Sequence, residues 1–136
     1  MQKIHIVQMG VVMIYNVDNY GAVGDGVHND TPAIQAAIDA CHNNGVVCVT
    51  FSGGRTYRSG TIILRSYVEL HLETGSCLKG SDHLEDFNLL GRQDTTPSQL
   101  DRPPYDNCAD SGQPTLFFVY ARDCEYVSIT GFGKIE

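Results

Sequence analysis

The chain predicts an all-β fold: a right-handed parallel β-helix, or solenoid, with one α-helix at its N-terminal end. Three observations carry that reading. Short apolar and β-branched runs recur between glycine-bearing bends from Val46 onward. Only one segment has helical period, and it comes first. Val47 and Val68, which head two of the runs, stand 21 residues apart, the scale of one solenoid turn.

Each element can be justified in order. Tyr15–Val17 reads as a short entering strand. Gly21, Gly24 and Gly26 then punctuate a turn that needs positive backbone φ. Asp30-Thr31-Pro32 is a helix start, an oxygen-bearing cap followed by proline at the first helical position. Ile34, Ala37, Ile38 and Cys41 form one apolar stripe, and Asn43-Asn44-Gly45 ends the helix. Val46–Phe51 suits a buried strand. Thr56–Leu64 suits two short strands around a Ser59-Gly60 bend. Val68–Leu72 alternates, with Val68, Leu70 and Leu72 inward and Glu69, His71 and Glu73 outward. Gly75 and Gly80 bracket a further strand around Cys77-Leu78. Asp82–Pro114 breaks the rhythm with four prolines and seven acidic residues, a length that in a compact domain tends to be functional or mobile. Strands resume at Leu116–Tyr120 and Tyr126–Thr130, and Lys134-Ile135-Glu136 begins another. The helix is expected to plug the open N-terminal end of the stack, where bare strand edges would invite aggregation. No matching C-terminal cap appears, so the chain reads as an N-terminal fragment of a longer protein, of low stability or prone to aggregate on its own. Residues 1–12 read as an extension and residues 13–136 as the first portion of one β-helix domain.

Composition bounds the function. The 136 residues allow one domain at most. Net charge −7 excludes a nucleic-acid binder, which needs a basic footprint. Eight of the nine basic residues lie from Arg55 onward, which leaves room for a local cationic groove facing an acidic substrate. Cys41, Cys48, Cys77, Cys108 and Cys124 make no metal-ligand spacing, and their odd number does not suit a disulfide framework. Buried free thiols are expected at Cys41, Cys48 and Cys77. No run is long and apolar enough for a membrane span, and no signal-peptide cleavage site precedes Tyr15. With free thiols, that tips the balance to a cytoplasmic location over a secreted one without fixing it. No cofactor and no metal are expected.

Three segments go further: YNVDNYGAVGDGVHNDTPAIQAAIDAC (15–41), GGRTYRSGTIILRSYVELHLETGSCLKGS (53–81) and LFFVYARDCEYVSITGFGKIE (116–136). In this order they resemble the start of the polygalacturonase-like glycoside hydrolases (family 28), within the pectate-lyase-type β-helix superfamily. The first segment marks only the superfamily, which also holds lyases, other glycanases and phage tailspikes. The family's usual proline before the turn glycine is missing at Phe51-Ser52-Gly53-Gly54-Arg55, a departure of local geometry.

The resemblance implies inverting hydrolysis of galacturonate-type bonds in pectin or oligogalacturonate. An acid protonates the leaving oxygen, and a carboxylate base about 6.5–9.5 Å away activates water. In the family these groups lie in Asn-Thr-Asp, Asp-Asp, Gly-His-Gly and Arg-Ile-Lys strings on central coils. None occurs here, so no catalytic residue is assigned and the 136 residues alone are expected to be inactive. Asp25 and Asp30 are read as turn and cap residues. Glu69, His71 and Glu73 could form a ligand triad, but a solvated strand face or a contact with the next coil is the expected role. The substrate-binding candidates are Arg92, Arg102 and Tyr105, because guanidinium groups pair carboxylates and tyrosine stacks on sugar faces. The alternatives are a lyase, which would show calcium dependence, another glycanase on the same fold, and a non-catalytic carbohydrate-binding or truncated product.

Overall fold

The computed structural model describes residues 13–45, 47–87 and 118–136. Strand β1 (Ile14–Asn16) passes through a 3₁₀ turn (Val17–Tyr20) to β2 (Asp25–Asn29), and α1 (Thr31–Asn43) completes a first coil. The second coil is β3 (Val47–Phe51), β4 (Thr56–Ser59) and β5 (Ile62–Ile63). The third is β6 (Val68–Leu72), β7 (Cys77–Gly80) and β8 (Val119–Tyr120), and β9 (Ser128–Gly131) and β10 (Lys134–Ile135) open a fourth. The first sheet runs β1-β3-β6-β9, the second β2-β4-β7-β10 and the third pairs β5 with β8. All of these pairings are parallel, which makes a parallel β-helix. Val47 lies opposite Val68 and Thr56 opposite Cys77, so the spacing read from the sequence is one turn of the coil.

Strand alternation sorts the side chains. Val49 and Leu70 are neighbours in register, as are Phe51 and Leu72, and Tyr57 and Leu78. These fill the interior of the coil and are fully or almost fully buried. Burying each large side chain contributes roughly 1.5–3 kcal/mol. Phe51 and Tyr57 meet edge to face at 5.3 Å, closing the corner between the first two sheets. The Tyr57 hydroxyl donates to Asp18 Oδ1 at 2.8 Å, and Ser52 Oγ donates to Asp18 Oδ2 at 2.8 Å. The one polar end of a buried ring is therefore satisfied.

The helix occupies the place a third-sheet strand would take in the first coil. Its predicted stripe, Ile34, Ala37, Ile38 and Cys41, is fully buried. Its polar side chains finish what a strand would have supplied. Ile62 and Leu64 give their backbone N–H groups to the β8 side. Ile63 faces the other way: its N–H donates to Gln35 Oε1 at 2.9 Å, and its carbonyl accepts from Gln35 Nε2 at 3.0 Å. The Gln35 amide thus stands in for a peptide group of the missing strand. Thr31 Oγ1 accepts from Gly60 N at 2.8 Å in the same way.

The helix start corrects the expected role of Asp30. Its side chain makes no capping bond. It is 1% exposed and instead accepts from Val23 N at 2.9 Å and Gly24 N at 3.1 Å, clamping the turn whose glycines all have positive φ. Asn29 Oδ1 takes the helix-side N–H of Thr31. Asp25 does hold a turn, accepting from Val27 N and His28 N, and these bonds lower its pKa.

Strand limits differ elsewhere too, most of all at β2 (Asp25–Asn29), which forms where the sequence reads as a turn, and at β8, where Phe118 lies outside the strand. Val17 enters the 3₁₀ turn rather than β1, because its side chain is needed under α1 in the core. Tyr126 cannot join β9, since its φ of 54° is left-handed. Tyr67 (φ 65°) and Asp123 (φ 51°) share that conformation, and they are the other non-glycine positions of this kind among the described residues. Each costs about 1–2 kcal/mol. Tyr67 and Tyr126 stack on each other at 5.4 Å, which returns about 0.5–1.5 kcal/mol.

Most of the Asp82–Pro114 segment lies outside the described residues. At its start, Leu84–Asp86 form a short 3₁₀ turn, and Asp86 ties three coils together. It accepts from Asn29 Nδ2 and Ser81 Oγ and pairs with Arg58 at 3.5 Å. Gly60 is required beneath it: a Cβ there would sit 1.7 Å from the Asp86 carbonyl oxygen. Cys41, Cys48, Cys77 and Cys124 are free thiols, but only Cys41 is fully buried. Cys48 and Cys77 are half-buried, because both lie on outward-alternating positions of their strands.

Candidate functional site: the outer face of the first sheet

Alternation that sends Val49 and Leu70 inward sends their neighbours outward. Register then builds two columns along the coil axis, polar but for Ile14 at the head of one. One is Asn16, Thr50, His71, Thr130; the other is Ile14, Cys48, Glu69, Ser128. Carboxylate, imidazole, hydroxyl and amide groups are brought side by side from four successive coils.

Three of them form a hydrogen-bonded chain. Thr130 Oγ1 donates to Glu69 Oε1 at 2.6 Å, and His71 Nδ1 lies 2.9 Å from the same hydroxyl oxygen. A hydroxyl has one proton, and here it goes to the carboxylate, so the hydroxyl oxygen accepts from His71 Nδ1–H. In neutral His71 this leaves Nε2 as an acceptor. Both Glu69 and His71 are about 40% exposed, so this face is open to solvent. The arrangement can orient hydroxyl groups or pass a proton along Glu69, Thr130 and His71. Cys48, beside Glu69, takes no part as an anion: burial and then the neighbouring carboxylate push its thiol up to about 11.

The structure answers the sequence expectations residue by residue. Glu69 and His71 do meet the next coil, through Thr130. Glu73 turns away and accepts from Gly53 N at the adjacent corner. No group of three His, Cys, Asp or Glu side chains among the described residues is placed to hold a metal ion. Arg92, Arg102 and Tyr105 lie outside the described residues. Thr130, Thr50 and Asn16 were not singled out from the sequence. The 21-residue repeat could have placed Thr50 beside His71, but no fixed spacing leads to Thr130, because the third coil is interrupted between β7 and β8 by the Asp82–Pro114 segment.

Residues 14–103 match the family described as rhamnogalacturonase A/epimerase, pectate lyase-like. The exo-poly-α-D-galacturonosidase of Dickeya chrysanthemi is 38% identical over 77 residues, covering 57% of this chain and 12% of that protein. Mannuronan C5-epimerase AlgE1 of Azotobacter vinelandii is 45% identical over 65 residues, 43% of this chain and 5% of that protein. Among solved structures, the family 28 exopolygalacturonase of Yersinia enterocolitica superposes with a TM-score of 0.71 at 28% identity, over 91% of this chain and 20% of that one. The chain therefore spans a small part of the proteins it matches. With the match covering most of its length, and with a parallel β-helix as the observed fold, the chain belongs to the rhamnogalacturonase A/epimerase, pectate lyase-like family.

Proposed function

We propose that these coils form the helix-capped beginning of a glycoside hydrolase that cleaves galacturonate-type bonds with inversion. One observation carries this reading: the sequence match to the exo-poly-α-D-galacturonosidase runs over 57% of the chain, whereas that to the epimerase AlgE1 runs over 43%. The open polar face of Asn16, His71, Thr130 and Glu69 suits contact with a hydroxyl-rich polymer. Arg92, Arg102 and Tyr105 are the proposed contacts to a sugar carboxylate and ring in the Asp82–Pro114 segment. The catalytic pair is assigned to no residue of this chain.

A second reading has its own support, since the epimerase match is the more identical one over its shorter span. On that reading the parent protein inverts or eliminates at a uronate carbon rather than hydrolysing. The protein expressed from its whole reading frame separates these on polygalacturonate and on alginate. Hydrolysis gives saturated reducing ends, elimination gives unsaturated ultraviolet-absorbing ends, and epimerisation changes sugar configuration at constant chain length. Saturated ends with inverted anomeric configuration are expected. Unsaturated ends, or unchanged chain length with altered configuration, would overturn the hydrolase. In the hydrolase, Arg102→Ala is expected to raise KM for oligogalacturonate, and an unchanged KM would remove Arg102 from the site.

A further inference from the structure

The outer face of the first sheet has a charge pattern that discriminates between ligands. Strands β1, β3, β6 and β9 contain no lysine and no arginine, and Glu69 is their one carboxylate. Glu73, just past β6, is committed to Gly53 N at the corner. The cations of the described residues stand elsewhere. Arg55, Arg58, Arg65, Arg122 and Lys134 pair with carboxylates off these strands, and Lys79 is on β7 of the second sheet. The face therefore holds a fixed negative charge and no guanidinium or ammonium group of its own.

What it offers is acceptors. Glu69 Oε1 takes the Thr130 proton, and among the described residues no donor reaches Oε2. The Nδ1–H of neutral His71 is spent on Thr130, which leaves the Nε2 lone pair. The two heads converge on that hydroxyl, with Nδ1 3.9 Å from Oε1. One bridge thus orders both heads before any ligand arrives, which lowers the cost of binding. Strand β6 lies between β3 and β9, so the 43% and 39% exposure of Glu69 and His71 belongs to the face and not to the end of the stack. Cys48 and Ser128 flank Glu69 in register on either side, and the thiol, held protonated at neutral pH, adds no charge.

A ligand has to match this pattern. An incoming carboxylate would meet a fixed carboxylate and no cation, and like-charge contacts of that kind reject a partner. A hydroxyl brings a proton and no charge, and its bond to an ionised carboxylate is shorter and stronger than one to a neutral oxygen. We infer that this face binds a neutral saccharide, two of whose hydroxyls donate to Glu69 Oε2 and His71 Nε2, and that it turns a uronate away. The inference rests on the proposed reading that the parent protein acts on a polysaccharide. It gives this face the uncharged sugars and leaves the acidic ones to Arg92 and Arg102.

The test is NMR titration of the 136-residue chain with oligogalacturonate and with the neutral oligogalactoside of the same linkage and length, which carries hydroxymethyl groups in place of the carboxylates. The neutral sugar is expected to bind more tightly and to shift the signals of Glu69, His71 and Thr130. Glu69→Gln keeps an acceptor for Thr130 and removes the charge. It is expected to weaken the neutral sugar about tenfold, which is about 1.4 kcal/mol, and to strengthen oligogalacturonate. That crossed response separates contact with the ligand from a loss of fold, which would weaken both sugars. His71→Phe removes the second acceptor and is expected to weaken the neutral sugar without helping the acidic one, at an unchanged melting temperature. Oligogalacturonate binding as tightly as the neutral sugar would overturn the proposal. So would wild-type affinity for the neutral sugar in folded Glu69→Gln, or a neutral sugar that leaves the signals of this face unmoved. Should the whole protein prove to be an epimerase or a lyase, the crossed response at Glu69 would still be seen. Should it prove a hydrolase without that response, this inference alone fails.

Discussion

The first and the last described coils are made from similar strands and meet opposite fates. At the first coil, α1 covers the interior, and Val17, Ile34, Ala37, Ile38 and Cys41 are fully buried. At the last described coil, Ile129 and Ile135 are close to half exposed and Phe132 is 89% exposed. The difference teaches that a coil in this fold does not bury itself. Each apolar residue is covered by whatever lies above and below it, and the helix is what serves that purpose at the first coil.

The sharpest way to break the comparison is to damage the covered end. Ile38→Ala leaves a cavity under the helix at a site with no exposure, and should cost about 2–5 kcal/mol in urea or thermal unfolding. A loss below about 1 kcal/mol would mean that α1 is only loosely seated and that the coil tolerates an open end. Gly60→Ala attacks the same end from the coil side. Its Cβ would collide with the Asp86 carbonyl, so an overpacking cost of about 1–3 kcal/mol is expected. If stability is unchanged, the turn carrying Asp86 can move away, and the tie among the first three coils is not needed.

These positions also show what could be read in advance. The helix stripe was legible because its period of 3.6 is incompatible with the period of 2 around it. The coil length was legible because the second and third coils carry no insertion between Val47 and Leu72, so register follows from counting. Asp30 was misread for a physical reason: a helix cap and a turn clamp both ask a carboxylate to accept nearby backbone N–H groups. Only burial and the direction of the side chain separate them. The Glu69–Thr130–His71 chain was half legible. Its two sequence-near members stand out, with Glu73, as one outward face, but Thr130 reaches them across a segment whose length cannot be deduced from the repeat. The use of Gln35 as a substitute peptide was not legible at all, since a glutamine on a helix surface is ordinary in any sequence.

Gln35 gives the next sharpening. If the helix replaces a strand through this amide, Gln35→Ala should cost about 1 kcal/mol by stranding the N–H and carbonyl of Ile63. Gln35→Glu keeps an acceptor for the Ile63 N–H but sets a carboxylate against the Ile63 carbonyl, and should recover none of it. Amide hydrogen exchange at Ile63 is the direct measure. Unchanged protection in Gln35→Ala would show that helix packing alone seals this edge.

The covered end also sets an alkaline limit. Burial raises the Cys41 and Cys48 thiols to about 11 from an ordinary value near 9.0. Folded-state pKa values above the unfolded ones mean that this contribution is complete below pH 9 and is lost as pH rises through 11. Stability should therefore fall across that window. Replacing both thiols, Cys41→Ala with Cys48→Ser, should flatten the fall while lowering stability at neutral pH through the Cys41 cavity. A slope that survives the replacement would place the alkaline sensitivity elsewhere.

The smallest effect is expected at the exposed coil, and it is the one that most tests the comparison. Ile135 pairs with Leu78 through its backbone, while its side chain is 45% exposed. Ile135→Ser removes apolar surface that is already half in water and leaves the parallel pairing to β7 intact. A change within about 0.5 kcal/mol is expected, an order of magnitude below the upper range for Ile38→Ala. The urea midpoint should be independent of protein concentration in both variants. A loss of several kcal/mol in Ile135→Ser, with a midpoint that rises with concentration in the parent chain, would mean that another copy covers this face in solution. The contrast between the ends would then be between a cover built into the chain and one recruited from outside it, because strand edges and apolar columns demand a neighbour whichever way it is supplied.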